Sequence, residues 1–233
     1  MTATTTFSDA FLRTTERHAA WGAQQLEAFN EFMPAGAWTA DLDQRLYRQA
    51  ERDLRISVLG SFDTSEGSWL WGWANPGFGG TPVVGAADEI RRLGAAHGIP
   101  EFTTDLVDLS AFDDPRFAVE TLAFGAMGAL GASGYIGVQA SPKGRLYMVP
   151  DDPQVPRAVP DAITLPRVLL TGTGLFGGSS AHAVVAGYFD HHGVTWRQEG
   201  DRISADMPGG STADILFDDI GRVASVGMKN VTR

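Results

Sequence analysis

The stretch Gly67-Ser68-Trp69-Leu70-Trp71-Gly72-Trp73-Ala74-Asn75-Pro76 carries three of the chain's six tryptophans at every second position. Side chains alternate across a strand with a period of two. As a strand, this box therefore places Trp69, Trp71 and Trp73 on one face, and Leu70, Gly72 and Ala74 on the other. Just upstream, Leu54-Arg55-Ile56-Ser57-Val58-Leu59-Gly60-Ser61-Phe62 alternates as well, with Leu54, Ile56 and Val58 sharing a side. Between the two lies Asp63-Thr64-Ser65-Glu66-Gly67, short polar side chains followed by a glycine able to take positive φ, which is turn chemistry. The two runs predict an antiparallel hairpin, and Pro76, which has no N–H to give a ladder, ends it.

Each indole buries about 150–250 Å² and keeps one N–H that needs an acceptor. The stripe fits a core face crossed by a helix. It also fits the aromatic wall of a pocket, in which Trp69, Trp71 and Trp73 hold a ligand and Asn75 supplies polar contacts at the rim. An exposed stripe for a protein partner is the third reading. Large rings are usually buried, so the core reading leads.

Composition bounds the class. With 233 residues, 43% hydrophobic and 20% charged, the chain can bury a sizeable core in one large domain or two small ones. Its 18 basic against 28 acidic residues give a net charge of −10, which argues against a nucleic-acid partner. Cysteine is absent, which removes disulfides, thiolate zinc sites and cysteine nucleophiles and fits a reducing cytosol. Met1-Thr2-Ala3-Thr4-Thr5-Thr6 lacks the basic start and apolar run of a signal peptide. Residues 121–142 and 168–189 hold no Asp, Glu, Lys or Arg, yet they contain too many Gly, Ser, Thr and Gln to resemble a membrane span. The expectation is a cytoplasmic protein with no membrane partner.

In chain order, a first helix is predicted from about Ser8 to Met33, capped by Thr6 or Ser8 and stopped by Pro34-Ala35-Gly36. A second starts at Thr81-Pro82 and ends at Gly98, and a third runs from Asp114-Pro115 to Leu130. Gly125, Gly128 and Gly131 recur along one side of the third, a groove that another backbone could approach closely. Tyr135–Gln139 and Arg145–Val149 flank Ser141-Pro142-Lys143-Gly144 as a second hairpin. Four prolines between Pro150 and Pro160 suggest an extended linker, dividing the chain into 1–150 and 161–233. Beyond it, Ser179 to His192 reads as a helix and three or four short strands follow as a meander. The fold class is α+β: antiparallel hairpins packed against helices, then a C-terminal helix with an antiparallel meander.

Chemistry is sparse. Gly172-Thr173-Gly174-Leu175-Phe176-Gly177 matches the dinucleotide fingerprint after apolar Val168-Leu169-Leu170. Gly172, Gly174 and Gly177 would then cradle a pyrophosphate, and Glu199 or Asp201 would reach the ribose. Against this, the rest of the chain reads as antiparallel strands and not as further βαβ units. His182, His191 and His192 share one helix with Asp190, but their spacing suits a solvated helix end better than a metal site. Asp113-Asp114, Asp151-Asp152 and Asp218-Asp219 fall in turns and caps. No serine occupies a Gly-x-Ser-x-Gly elbow.

Leu59-Gly60-Ser61, the box from Gly67 to Asn75 and Gly98-Ile99-Pro100-Glu101 together resemble an uncharacterised bacterial family of actinomycete type, over roughly residues 7–150. The resemblance implies no activity and carries no catalytic residue. The leading functional reading is a non-enzymatic cytosolic binding protein. It would hold a small apolar or aromatic ligand, or a partner protein, against the Trp box and need no cofactor or metal. An immunity- or inhibitor-like role suits the acidic charge, which could pair with a basic partner. The alternative is a nucleotide-dependent enzyme built on the Gly172–Gly177 loop.

Overall fold

The computed structural model describes residues 6–176 and 178–230. Packing divides the chain into two compact units: Met1–Leu12 with Ala28–Pro156, and Arg13–Glu27 with Arg157–Arg233. The centre of the first helix is thus grouped with the C-terminal residues. The proline-rich stretch is only partly a linker. Asp151 N–H donates to the Arg55 carbonyl, Asp152 accepts from Arg55 N–H, Gln154 donates to Asp53, and Val155 is buried in the N-terminal core.

Helix α1 (Asp9–Phe32) begins at Ser8, whose hydroxyl accepts from Phe11 N–H. The backbone N–H and the hydroxyl of Ser8 donate to the two carboxylate oxygens of Glu101, at 2.5 and 2.7 Å. Glu101 is itself buried, so this long-range clasp ties the helix start to the chain ninety-three positions on. Ser8→Ala removes both the cap and one of the carboxylate's donors. It should lower the unfolding free energy by about 1 kcal/mol or more, read as a shift in urea midpoint with unchanged slope.

Seven antiparallel strands build the N-terminal sheet. Strands β1 (Trp38–Asp41), β2 (Leu46–Gln49), β3 (Arg52–Asp63), β4 (Ser68–Trp71) and β5 (Leu106–Asp108) pair in sequence order. On the other edge of β3 lies β7 (Gly144–Pro150), with β6 (Ile136–Ser141) outside it. The β3–β4 and β6–β7 hairpins form where turn chemistry places them. The three residues of β5 are too short and too irregular in pattern to announce themselves.

The tryptophan stripe is shorter than the alternation predicts. Strand β4 ends at Trp71, and Gly72–Ala74 turns into a 3-10 helix. Trp69 and Trp71 are fully buried, while Trp73 is half-buried. The rings still touch: Trp69 meets Trp71 edge-on at 5.1 Å, and Trp73 stacks on Trp71 at 4.9 Å. Gly60, opposite Trp71 on β3, makes room for this. A Cβ there would lie 2.5 Å from the Leu70 carbonyl and 2.6 Å from the Trp69 ring, so no side chain fits.

Helix α2 (Gly85–His97) follows a 3-10 turn at Pro82–Val84 and ends at Gly98 in the left-handed region. Helix α3 (Pro115–Leu130) has Asp114 as its cap, accepting from Arg116 and Phe117 N–H. Gly125 and Gly128 are buried along α3, whereas Gly131 at φ 58° is the C-cap and no part of a helical groove.

The C-terminal unit holds α4 (Leu165–Leu175), α5 (Ala181–His191) and a four-stranded sheet. Its strands are β8 (Trp196–Glu199), β9 (Arg202–Asp206), β10 (Ser211–Phe217) and β11 (Val223–Asn230), in the order β11-β10-β9-β8. Alternate residues Ala213, Ile215 and Phe217 of β10 are buried, as a one-sided sheet requires. The whole is an α+β fold of antiparallel sheets and helices.

Candidate functional site

The four residues of the Trp box that could line a pocket divide. Trp69 and Trp71 expose none of their surface. Trp71 donates its indole N–H to the Glu101 carbonyl at 2.8 Å, and Trp69 Nε1 is buried without a partner. Trp73 is tied differently: its N–H donates to Asp105 at 2.7 Å, and Arg91 lies over its ring at 5.5 Å. Asn75 spends its side-chain oxygen on Gly77 N–H, closing a local turn. Two of the three rings therefore have no face free for a ligand.

The opposite face of the same strands is also core at Val58, Met148 and Ile136, and opens only towards the β3–β4 turn. Cross-strand partners place Leu106, Leu70, Ser61, Leu146 and Val138 in one row across β5, β4, β3, β7 and β6. Val138 is buried, but Leu70, Ser61 and Leu146 are half-buried and Leu106 is 54% exposed. One step along each strand, on the same face, the next row reads Asp108, Ser68, Asp63 and Gly144. The chain thus sets an apolar row beside two carboxylates.

Both carboxyls stay ionised well below the ordinary range. Asp63 is held down chiefly by the Ser65 hydroxyl, then by Ser65 and Glu66 N–H, with Lys143 nearby. Asp108 is held down by the hydroxyl and then the N–H of Ser110. In each, Oδ1 takes those bonds. Leu70 was legible as the other side of the Trp alternation. Leu106 and Asp108 were not, because β5 was not recognised as a strand.

The described part of the glycine-rich segment, up to Leu175, is helix and not loop. Val168–Leu170, the apolar run before it, lies inside helix α4, and so does the segment from Gly172 to Leu175. Gly172 is buried, and a Cβ on it would lie 2.4 Å from Cα of Ala20. Gly172 serves helix packing, and among the described residues the run before it is helix where a nucleotide cradle needs a strand. Gly174 is exposed and lines an open groove of about 520 Å³ with Leu170, Ser179, His182, Ile220 and Arg222. Gly177 lies outside the described residues. Glu199 and Asp201 bound the β8–β9 turn.

The histidines are less solvated than a helix end suggests. His191 stacks flat on Trp21 at 3.9 Å, and its Nε2 lies 2.6 Å from Nδ1 of His18. Burial pushes His18 down to about 3 and His191 to about 4, with neighbouring positive groups adding to the effect. His192 is lowered to about 4 by burial and faces Gln24. His182 stacks on Phe217 at 3.6 Å. Among the described residues, no three His, Asp or Glu side chains are grouped to hold a metal.

A closed polar cluster completes the inventory. Glu120 accepts from the hydroxyls of Tyr135 and Tyr147, at 2.9 and 2.8 Å, one on each oxygen. Burial first, and the carboxylate second, raise both phenols, Tyr147 to about 12. With Arg116 also paired to Glu120 at 3.2 Å and both phenols held protonated, this cluster ties α3 to Tyr135 and to β7.

A model of the family of unknown function DUF6882 matches residues 5–153. The chain belongs to that family. No curated protein and no solved structure matches it significantly. The DUF6882 region contains the Trp box and every residue of the Leu106–Leu146 row. Helix α5 and the C-terminal sheet lie beyond it. No described helix is long and apolar enough to cross a membrane.

Proposed function

We propose that this chain is a non-enzymatic binding protein whose DUF6882 region engages a partner protein through the Leu106, Leu70 and Leu146 row. One observation carries the reading. At the margin of a sheet face whose next row, Val58, Met148 and Ile136, is buried, this row is left half-open and ends in a leucine that is 54% exposed. An apolar row that continues a buried face out to the surface is the kind of exposed patch that marks an interaction site. A protein partner is favoured over a small aromatic ligand, because Trp69 and Trp71 are sealed in the core. Nucleotide chemistry has no support at Gly172–Leu175, which is helical. The reading is of an immunity- or inhibitor-like protein acting in the cytosol, where a chain without cysteine loses nothing.

The test is site-specific photo-crosslinking in cells that make the protein. A benzoylphenylalanine at position 106 should give a defined heavier adduct. The same group at position 163, where Ile163 is 88% exposed in the C-terminal unit, should not. No adduct at 106, or the same adduct from both positions, would count against the face.

A further inference from the structure

We infer that the partner of this face is cationic: a protein surface or strand that sets Lys or Arg side chains against Asp63 and Asp108 while its apolar residues cover Leu106, Leu70 and Leu146. This rests on the proposed binding role of that face. The argument is one of register. Asp108 follows Leu106 by two residues on β5, Asp63 follows Ser61 by two on β3, and Ser68 precedes Leu70 by two on β4 between them. Both carboxylates therefore share the face of the leucine row, one residue pair further along it.

Their chemistry suits the role. Each uses Oδ1 to cap its own turn, through Ser65 and Glu66 for Asp63 and through Ser110 for Asp108. Those donors hold both groups ionised and fix their orientation before any partner arrives. Among the described residues, Lys143 in the β6–β7 turn is the cation that acts on Asp63. Against the single charge of Lys143, the two aspartates leave an excess of negative charge beside the row, and the chain carries −10 overall. An acidic rim beside an apolar centre steers a basic partner and rejects an acidic one, since like charges brought together at an interface are strongly unfavourable.

The experiment uses the full chain and three fluorescein-labelled decapeptides, alternating Leu-Lys, Leu-Glu and Ser-Lys, with binding read by fluorescence polarisation. The Leu-Lys peptide should bind and weaken at least tenfold between 20 and about 300 mM salt, as a charge-steered contact does. The Leu-Glu and Ser-Lys peptides should bind at least tenfold more weakly. Asp63→Asn with Asp108→Asn keeps the Oδ1 acceptors of both turns and should cost at least tenfold. Asp41→Asn with Asp43→Asn removes the same net charge at the β1–β2 turn and should cost less than threefold. If Leu-Lys and Leu-Glu bind alike and Leu106→Glu weakens both, the face stands and its cationic preference is wrong. If Leu106→Glu changes nothing, or the two Asn pairs weaken binding equally, the Leu-Lys peptide is held by net charge and the face itself is wrong. Far-ultraviolet circular dichroism at matched urea midpoints separates loss of binding from loss of fold.

Discussion

Trp71→Ala should lower the unfolding free energy by about 3–5 kcal/mol, the range for truncating a buried large ring. The ring is fully buried and touches Trp69, Trp73 and Phe102, at centroid distances of 5.1, 4.9 and 5.9 Å. Its loss also strands the Glu101 carbonyl, which now accepts the indole N–H in a buried place. A buried acceptor left unpaired adds about 1–3 kcal/mol, so the upper part of the range is expected. Trp71→Phe keeps most of the volume and isolates that hydrogen bond. Trp73→Ala should cost less, because half of its contact is with solvent and with the exposed Arg91 and Asp105. Equilibrium urea unfolding of the three variants orders them. Equal costs for Trp71→Ala and Trp73→Ala would show that the stripe is not partitioned between core and surface in this way.

Acid should loosen the C-terminal unit well before its carboxylates titrate. Folding lowers His18 from its ordinary 6.5 to about 3, and lowers His191 and His192 to about 4. A depressed histidine means that the unfolded chain binds the proton first. The stability held by these groups is therefore complete above pH 6.5 and is lost as pH falls toward 4 and below. Each pH unit under 6.5 costs about 1.4 kcal/mol per proton taken up. His18 alone then removes about 2 kcal/mol between pH 7 and pH 5. The other two titrate beside it, so their contributions do not simply add. The aspartates whose values are lowered, such as Asp152 and Asp214, lose stability only below their unfolded value near 4, which leaves this window to the histidines.

His18→Gln should flatten the profile between pH 7 and 5, and His191→Gln should flatten it while also losing the flat stack on Trp21. Urea midpoints at pH 7, 6 and 5 make the measurement. A wild-type midpoint that does not move over that range would mean the pair is reached by water in solution.

Local chemistry was readable wherever a few adjacent residues decide the outcome. Ser8, Asp114 and Gly98 cap helices because a hydroxyl, a carboxylate and a missing Cβ each solve a problem confined to one turn. The β3–β4 and β6–β7 hairpins follow from alternation interrupted by turn residues. The segment Leu165–Leu175 misled, because Val168-Leu169-Leu170 is too short an apolar run to separate strand from helix. The glycines after it then looked like a nucleotide loop. Gly172 is needed instead because Ala20, far away in the sequence, passes 2.4 Å from where its Cβ would stand.

The sequence by itself determined the α+β class, most of the elements and their caps, the two hairpins, and the net charge of −10. These depend on side-chain period, backbone freedom and net charge, all of which are local or additive. Only the tertiary structure decided which indoles are sealed and which is half-open. It also grouped residues 13–27 with the C-terminal unit, joined His18 to His191, and set Leu106 and Asp108 beside Leu70 and Asp63. Each of these is a pairing between residues distant in the chain. Such pairings are selected by the register of whole strands and the fit of whole helices, and no single stretch of sequence contains that fit.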